Sequence, residues 1–233
     1  MSAADRRAPL GHPRLHLRTT TSTNDRARAL AAAGAPHGTV VSAAEQTAGR
    51  GRQGRTWSAP PGRALLVSVV LRDPPTLLSL AAALAVAETA GDEARIKWPN
   101  DVLVDGRKIA GILAEGRPQD GWAVLGIGLN VALRIEDLPA ELRDTAGTLS
   151  LEPADVEPTL QRLLGALERT LALGDTALLD AYRARDALDG KEVRWATGHG
   201  RAAGIDGEGR LVVELPDGRR AALSAGEVHL ERS

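Results

Sequence analysis

Gly190 divides this chain into two textures, and that division limits what it can fold into. Before it, short β-branched runs (residues 39–44, 65–71 and 122–131) alternate with longer Leu- and Ala-rich stretches of helical length (residues 75–90, 155–172 and 175–187). After it only short runs remain: Val193, Leu211-Val212-Val213, and the stretch from Ala221 to Leu230. Turn signals separate them, Asp206-Gly207 and Pro216-Asp217-Gly218. Strands mixed with helices, followed by strands alone, predict an α+β core with a small β barrel appended. A unit of fewer than about fifty residues is too small to be comfortable alone, so it is expected to dock on the larger part. The expected organisation is a flexible tail at 1–14, a ligand-binding domain at 15–187, and a small β domain at 188–233.

Composition narrows the function classes. The chain has no phenylalanine, one tyrosine and four tryptophans, so its core must be built from Leu, Val, Ile and Ala. It has no cysteine, which excludes disulfides, a thiolate metal site and a thiol nucleophile. Net charge is −1, so any positive field must be local, and neither nucleic acid nor a membrane surface is an expected partner. No apolar run reaches spanning length, and the first residues lack the apolar core of a signal peptide; a cytoplasmic protein is expected.

The local positive field lies in Gly49-Arg50-Gly51-Arg52-Gln53-Gly54-Arg55, followed by Trp57. Glycines permit close backbone approach, while guanidinium forks match carboxylate and phosphate oxygens. The glycine spacing also fits a dinucleotide fingerprint, but that motif must open a helix, and here Ser58-Ala59-Pro60-Pro61-Gly62 follows. The stretch reads as a flap that closes on a charged ligand. Trp57 at its end is placed either to stack on a base or to fill the core.

Lysine is nearly absent: of 29 Lys and Arg residues only Lys97, Lys108 and Lys191 are lysines. Two of the three fall in one segment, Lys97-Trp98-Pro99-Asn100-Asp101 through Arg107-Lys108. There a compact ammonium on a flexible stem could follow a moving phosphate. Asp105-Gly106 between apolar runs predicts a hairpin that sets Lys108 near the start of the returning strand. Asp101 reads first as a turn former and second as a Mg²⁺ contact. Gly126 and Gly128 inside a strand mark close approach to a ligand or a neighbour. Ser22-Thr23-Asn24-Asp25 is a helix start with capping-box spacing, the helix ending at Gly34. The five histidines show no ligand spacing and read as structural.

These motifs, in this order, resemble the biotin protein ligases. The resemblance is carried by Ser22-Thr23-Asn24, Glu45 to Trp57, Lys97 to Asp101, Arg107 to Leu113, Gly126 to Asn130 and Gly226-Glu227-Val228, and runs from about residue 15 to the end. It implies a class II synthetase-like core with a small SH3-like barrel. The implied activity is ATP- and Mg²⁺-dependent conversion of biotin to biotinyl-5′-adenylate, then transfer to a lysine of a biotin carrier protein or carboxylase domain. By motif position, Ser22, Thr23, Asn24, Gln46, Gly49, Arg50, Gly51, Arg52, Lys108 and Gly111 would bind biotin. Arg52, Arg55, Trp57, Lys97, Asn100, Lys108 and Asn130 would meet ATP, with Lys108, Arg52 and Arg50 at the reacting centre.

The resemblance implies a monomer or a weak homodimer and leaves the metal ligands unassigned. Some relatives carry a winged-helix region before the ligase core. Here about twenty residues precede Ser22, too few for one, so no DNA partner is expected. Gln53 stands where relatives are commonly basic. The competing readings are a lipoate or octanoate ligase of related fold, a nucleic-acid binder, and an inactive homologue that only senses biotin.

Overall fold

In the computed structural model, residues 9–117, 120–224, 226 and 228–230 are described; residues 1–8 of the expected tail, and Glu227, lie outside them. The larger part is a seven-stranded sheet ordered β1-β2-β3-β7-β6-β5-β4. Its strands are β1 (Arg14–Thr20), β2 (Val40–Gln46), β3 (Ala64–Arg72), β4 (Arg95–Lys97), β5 (Asp101–Val104), β6 (Arg107–Arg117) and β7 (Trp122–Asn130). Only β1 and β2 run parallel, as the α1 (Thr23–Ala32) crossover between them requires; all other neighbours are antiparallel.

Alternation along β3 shows how the sheet is layered. Leu65, Val67, Val69 and Leu71 join the main core, while Val70 packs with Ala27 and Ala31 of α1 and with Val124 of β7. Ser68, of the same parity as Val70, therefore faces α1. On the other face lie α2 (Leu78–Ala90), over β4 to β7, and α4 (Val156–Leu171), which packs against both α2 and β3; α5 (Asp175–Arg183) packs on α2. Helix α2 is apolar all round because it is buried all round, between the sheet and the outer helices, and its alanines permit the close fit. Helix α4 shows an apolar stripe instead, with Leu160, Leu163, Leu164 and Leu167 inward. A four-residue helix, α3 (Ala140–Arg143), lies in the long connection after β7.

The C-terminal unit is a five-stranded antiparallel sheet of order β11-β10-β9-β8-β12. Its strands are β8 (Glu192–Trp195), β9 (Gly198–Ile205), β10 (Leu211–Glu214), β11 (Arg220–Leu223) and β12 (His229–Leu230). It docks as expected. Val193, Ala202, Leu211 and Val213 belong to the same apolar cluster as the main core. Gly209 packs on Leu77 and Leu80 at the start of α2, and its carbonyl accepts the Trp98 indole N–H at 3.0 Å.

Two expectations are corrected. The stretch taken as a loose tail is tied down from Leu10, which is buried and whose N–H donates to Glu168 Oε1 at 2.7 Å; it leads directly into β1. Ser22 is the N-cap residue of α1, but its side chain makes no capping hydrogen bond. Nor does Asp25 serve a capping box, for its carboxylate is engaged with arginines.

Candidate active site

The floor of the site is the α1-facing surface of β3, β7, β6 and β5. Register places Ser68 opposite Gly126 and Gly126 opposite Leu113; the next row runs Leu66, Gly128, Gly111, Asp101. The middle of each row is glycine for a steric reason. A Cβ on Gly126 would overlap the Asn24 amide, and one on Gly128 would overlap the Trp57 indole. The close approach expected at these two glycines is thus to neighbours of this chain.

One wall is the N-terminus of α1. Gln46 Oε1 accepts from the Thr23 backbone N–H at 2.7 Å and lies 3.0 Å from its hydroxyl. Ser68 Oγ is 2.6 Å from Asn24 Oδ1 and 2.8 Å from Thr23 Oγ1. Asn24 Oδ1 can only accept, so the single Ser68 proton goes there. The single Thr23 proton then serves either Gln46 or Ser68. With its oxygen spent on Thr23, the Gln46 amide turns its NH₂ group toward Gly49.

Lys108 reaches the floor because of a β-bulge. Strands β5 and β6 pair Val102 with Ala110 but Leu103 with Lys108, leaving Ile109 as the extra residue. Without that insertion Lys108 would share the α2 side of the sheet; with it, Lys108 shares a face with Asp101 and Gly111. Its Nζ lies 2.7 Å from Asp101 Oδ1 and 5.7 Å from the Trp57 ring centroid. The segment after α3 meets the backbone at the bulge: Lys108 N–H donates to Thr145 O, and Gly147 N–H donates to Lys108 O, both at 2.8 Å. Asn130, buried, donates from Nδ2 to the Gly147 carbonyl at 2.8 Å.

The glycine–arginine stretch forms a small hairpin. Trp57 N–H donates to Gly49 O, Gly51 N–H donates to Arg55 O, and Arg50 pairs with Thr56. Gln53 and Gly54 both take positive φ at its tip. Arg50 points back to α1 and β6, with Nη2 at 2.9 Å from Asp25 Oδ1 and 2.6 Å from Glu115 Oε2. Arg52 donates from Nη1 to Asn100 Oδ1 at 2.8 Å and from Nη2 to Gly226 O at 3.4 Å. Beside the hairpin opens a cavity of about 1000 Å³, bounded by the loop arginines, Asn100, Glu115, the start of α2 and Gly209. A small adjoining pocket gathers Arg52, Arg55, Lys97, Asn100 and Asp101. Two hairpin donors, Arg50 Nε and Trp57 Nε1, are buried with no hydrogen-bond partner among the described residues.

The residues singled out in the sequence thus assemble into three adjoining groups: Ser22 to Asn24 with Gln46 and Gly49; Lys108 with Gly111 and Trp57; and Arg52, Arg55, Lys97 and Asn100. The Asn130 side chain is committed to Gly147 beneath them. Three participants were not read from sequence: Ser68, Asp25 and Glu115. Ser68 is a polar residue at a face position of an otherwise apolar strand, which was a usable signal; nothing local marks the two acids.

Family models match along most of this architecture: the biotin/lipoate A/B protein ligase family over residues 16–131, and the biotin protein ligase C-terminal domain over residues 190–230. A biotin–[acetyl-CoA-carboxylase] ligase of Mycobacterium tuberculosis is 39% identical over 232 residues, covering 90% of this chain and 85% of that protein. The chain belongs to the biotin protein ligases. Among its family relatives, the bifunctional ligase/repressor of Bacillus subtilis is 36% identical over 228 residues, covering 88% of this chain and 70% of that one. The solved Aquifex aeolicus biotin protein ligase, in complex with biotin and ATP, superposes with a TM-score of 0.80 at 27% identity, covering 94% of this chain and 99% of that chain.

Proposed function

We propose that this chain joins biotin to the AMP part of ATP, releasing pyrophosphate, and then passes the biotinyl group to a lysine of a biotin carrier domain. The observation that carries the reading is the hairpin that sets Arg52 beside Asn100 and Trp57 beside Lys108, over a glycine floor, in a member of the biotin protein ligases. Hydroxyl and amide side chains would pair the planar ureido head: Thr23, Gln46 and Ser22 lie at that end, with the Gln46 NH₂ group as a donor. The buried, unpaired Arg50 Nε and Trp57 Nε1 are donors suited to ligand oxygens.

In the first step a biotin carboxylate oxygen attacks the α-phosphorus and pyrophosphate leaves. Two anions must meet, so positive charge at the transferring phosphoryl group is the main requirement. Arg52 and Lys108 supply it here, with Arg55 and Lys97 along the leaving phosphates. Asp101 keeps the Lys108 ammonium on the floor until substrate oxygens compete for it. In the second step the acceptor amine attacks the acyl carbon and AMP leaves. No protein nucleophile is required, in keeping with the lack of cysteine. A closed hairpin would shield the acyl-adenylate from water between the steps.

Among the described residues no cluster of three or more acidic or histidine side chains could hold a metal ion. Mg²⁺ would then be bound chiefly by the nucleotide phosphates, with the Asp101 carboxylate in the small pocket as the protein oxygen beside it, since Asn100 Oδ1 already accepts from Arg52. Mg²⁺ would shield phosphate charge; the positioning falls to the side chains named above. No described helix is long and apolar enough to cross a membrane, and a carboxylase biotin domain in the cytoplasm is the partner that fits. The test is transfer of labelled biotin to a purified biotin carrier domain. Lys108→Gln should lose about a hundredfold or more in adenylation with its thermal midpoint held; near-normal turnover would refute the site assignment.

A further inference from the structure

Glu115 lies on β6, opposite Val124 of β7, at the end of the floor nearest α1. One of its oxygens, Oε2, accepts from Arg50 Nη2 at 2.6 Å and from Asn24 Nδ2 at 2.8 Å; the other lies 3.8 Å from Arg28. Arg50 Nη2 also forms an ion pair with Asp25 Oδ1 at 2.9 Å, so two carboxylates face the same nitrogen. Asn24, through its own oxygen, is held by Ser68. One carboxylate thus joins the hairpin, the start of α1 and strand β6, and it does so three-quarters buried, with its side chain 27% exposed.

An isolated surface ion pair would contribute little. This one differs in sharing an oxygen with Asn24 and in fixing the first residue of the hairpin that carries Arg52 and Arg55. If Arg50 swings free, the hairpin loses its anchor on the α1 side, and the Glu115 oxygen that also accepts from Asn24 loses its charged donor. Neither consequence requires Glu115 to touch a substrate.

We infer that Glu115, supported by Asp25, is a positioning residue for the adenylation step, acting through Arg50 and Asn24 to hold the hairpin's first strand against the biotin end of the site. This rests on the functional reading above. It assigns Arg50 a different task from Arg52: Arg50 anchors with its Nη2 and offers only its remaining donors to ligand, while Arg52 turns toward the phosphate side.

The test is biotin-dependent ATP–pyrophosphate exchange on the full chain, with Glu115→Gln, Asp25→Asn, and Glu192→Gln as a control. Glu192→Gln removes a carboxylate paired with Arg201 on the C-terminal sheet. In Glu115→Gln the amide oxygen still accepts from Asn24, but the charge facing Arg50 is gone. The expected result is a KM for biotin raised about tenfold with kcat within about twofold. Asp25→Asn should move the same way by a smaller factor, the control not at all. Trypsin cleavage after Arg52 or Arg55 without ligand should be at least about fivefold faster in Glu115→Gln, the lost anchor opening the hairpin. Combining Glu115→Gln with Arg50→Gln should add little to the larger single effect. An unchanged KM in both single variants, or a kcat loss that only tracks the folded fraction, would overturn the inference. If the wild-type chain shows no biotin-dependent exchange, the functional reading falls, and this inference with it.

Discussion

Ser68→Ala removes one oxygen atom from the centre of the polar wall. Ser68 is fully buried, and Thr23 and Asn24 beside it are each 4% exposed, so water cannot replace the lost hydroxyl without rearrangement. Two hydroxyl protons serve three contacts here: Ser68 to Asn24, and Thr23 to either Gln46 or Ser68. Deleting Ser68 Oγ leaves Thr23 free to donate to Gln46, so that residue loses nothing it needs. Asn24 Oδ1 does lose its donor, and an orphaned buried acceptor costs about 1–3 kcal/mol. The void left by one oxygen is too small to add much. For a chain of this size each kcal/mol lowers the melting midpoint by roughly 2–4 °C, so a loss near 2 kcal/mol corresponds to about 4–8 °C. Thermal melting followed by circular dichroism measures it. The double variant Ser68→Ala/Asn24→Ala no longer contains the orphaned oxygen and should cost less than the sum of the singles by about 1 kcal/mol. A midpoint within about 1 °C of wild type for Ser68→Ala, or strict additivity in the double, would refute the reasoning.

Gly128→Ala places a methyl group where the Trp57 indole lies; overpacking of about 1–3 kcal/mol should unseat the tryptophan and cut biotin-dependent exchange roughly tenfold or more, and normal exchange would contradict that placement. Tyr182 is completely buried and its hydroxyl has no partner among the described residues, so Tyr182→Phe should leave stability unchanged or raise it by up to about 1 kcal/mol; a clear loss on urea titration would show that the hydroxyl is bonded. Burial pushes the Asp186 carboxyl up from its ordinary value of 3.8. Its contribution to stability is therefore fully present below the unfolded value and is lost as pH rises through the folded one. Asp186→Asn keeps the acceptor for the Leu188 N–H without that loss. It should gain stability over wild type as pH rises through the acidic range, with the gain constant at neutral pH. Parallel stability curves from pH 3 to pH 7 would contradict the assignment.

Much of this arrangement was legible in residue order because its causes are local. Asp105-Gly106 adopts the paired positive φ values of a two-residue hairpin turn, and Gly91 and Gly34 end their helices as expected. The change of texture at Gly190 marks the C-terminal sheet because turn pairs and short runs are read within a few residues. Strand β1 was missed although Leu15 and Leu17 alternate with polar residues, because its exposed face blurs the pattern and it is itself an edge strand, paired among the described residues only with the parallel β2. Strand β9, rich in glycine and alanine, carries little intrinsic preference and owes its conformation to β8 and β10.

In the site, residue types were legible and their facing was not. The bulge at Ile109 decides which side Lys108 occupies, and it depends on pairing with β5 and on the 145–147 segment, both set by tertiary contacts. Asn130 illustrates the same limit. Its motif position suggested the nucleotide, but its side chain ties down the segment that holds the Lys108 backbone. Glu115 and Asp25 look like ordinary surface acids until the fold brings Arg50 between them.

The central claim is that the pocket built from Thr23, Gln46, Arg52 and Lys108 activates biotin's carboxylate at the expense of ATP. Ligand-dependent ATP–pyrophosphate exchange tests it most directly, with biotin, lipoate and octanoate run in parallel in the presence of Mg²⁺. Exchange with biotin alone is the predicted result. Exchange with lipoate or octanoate in place of biotin, or tight biotin binding with no exchange at all, would contradict it.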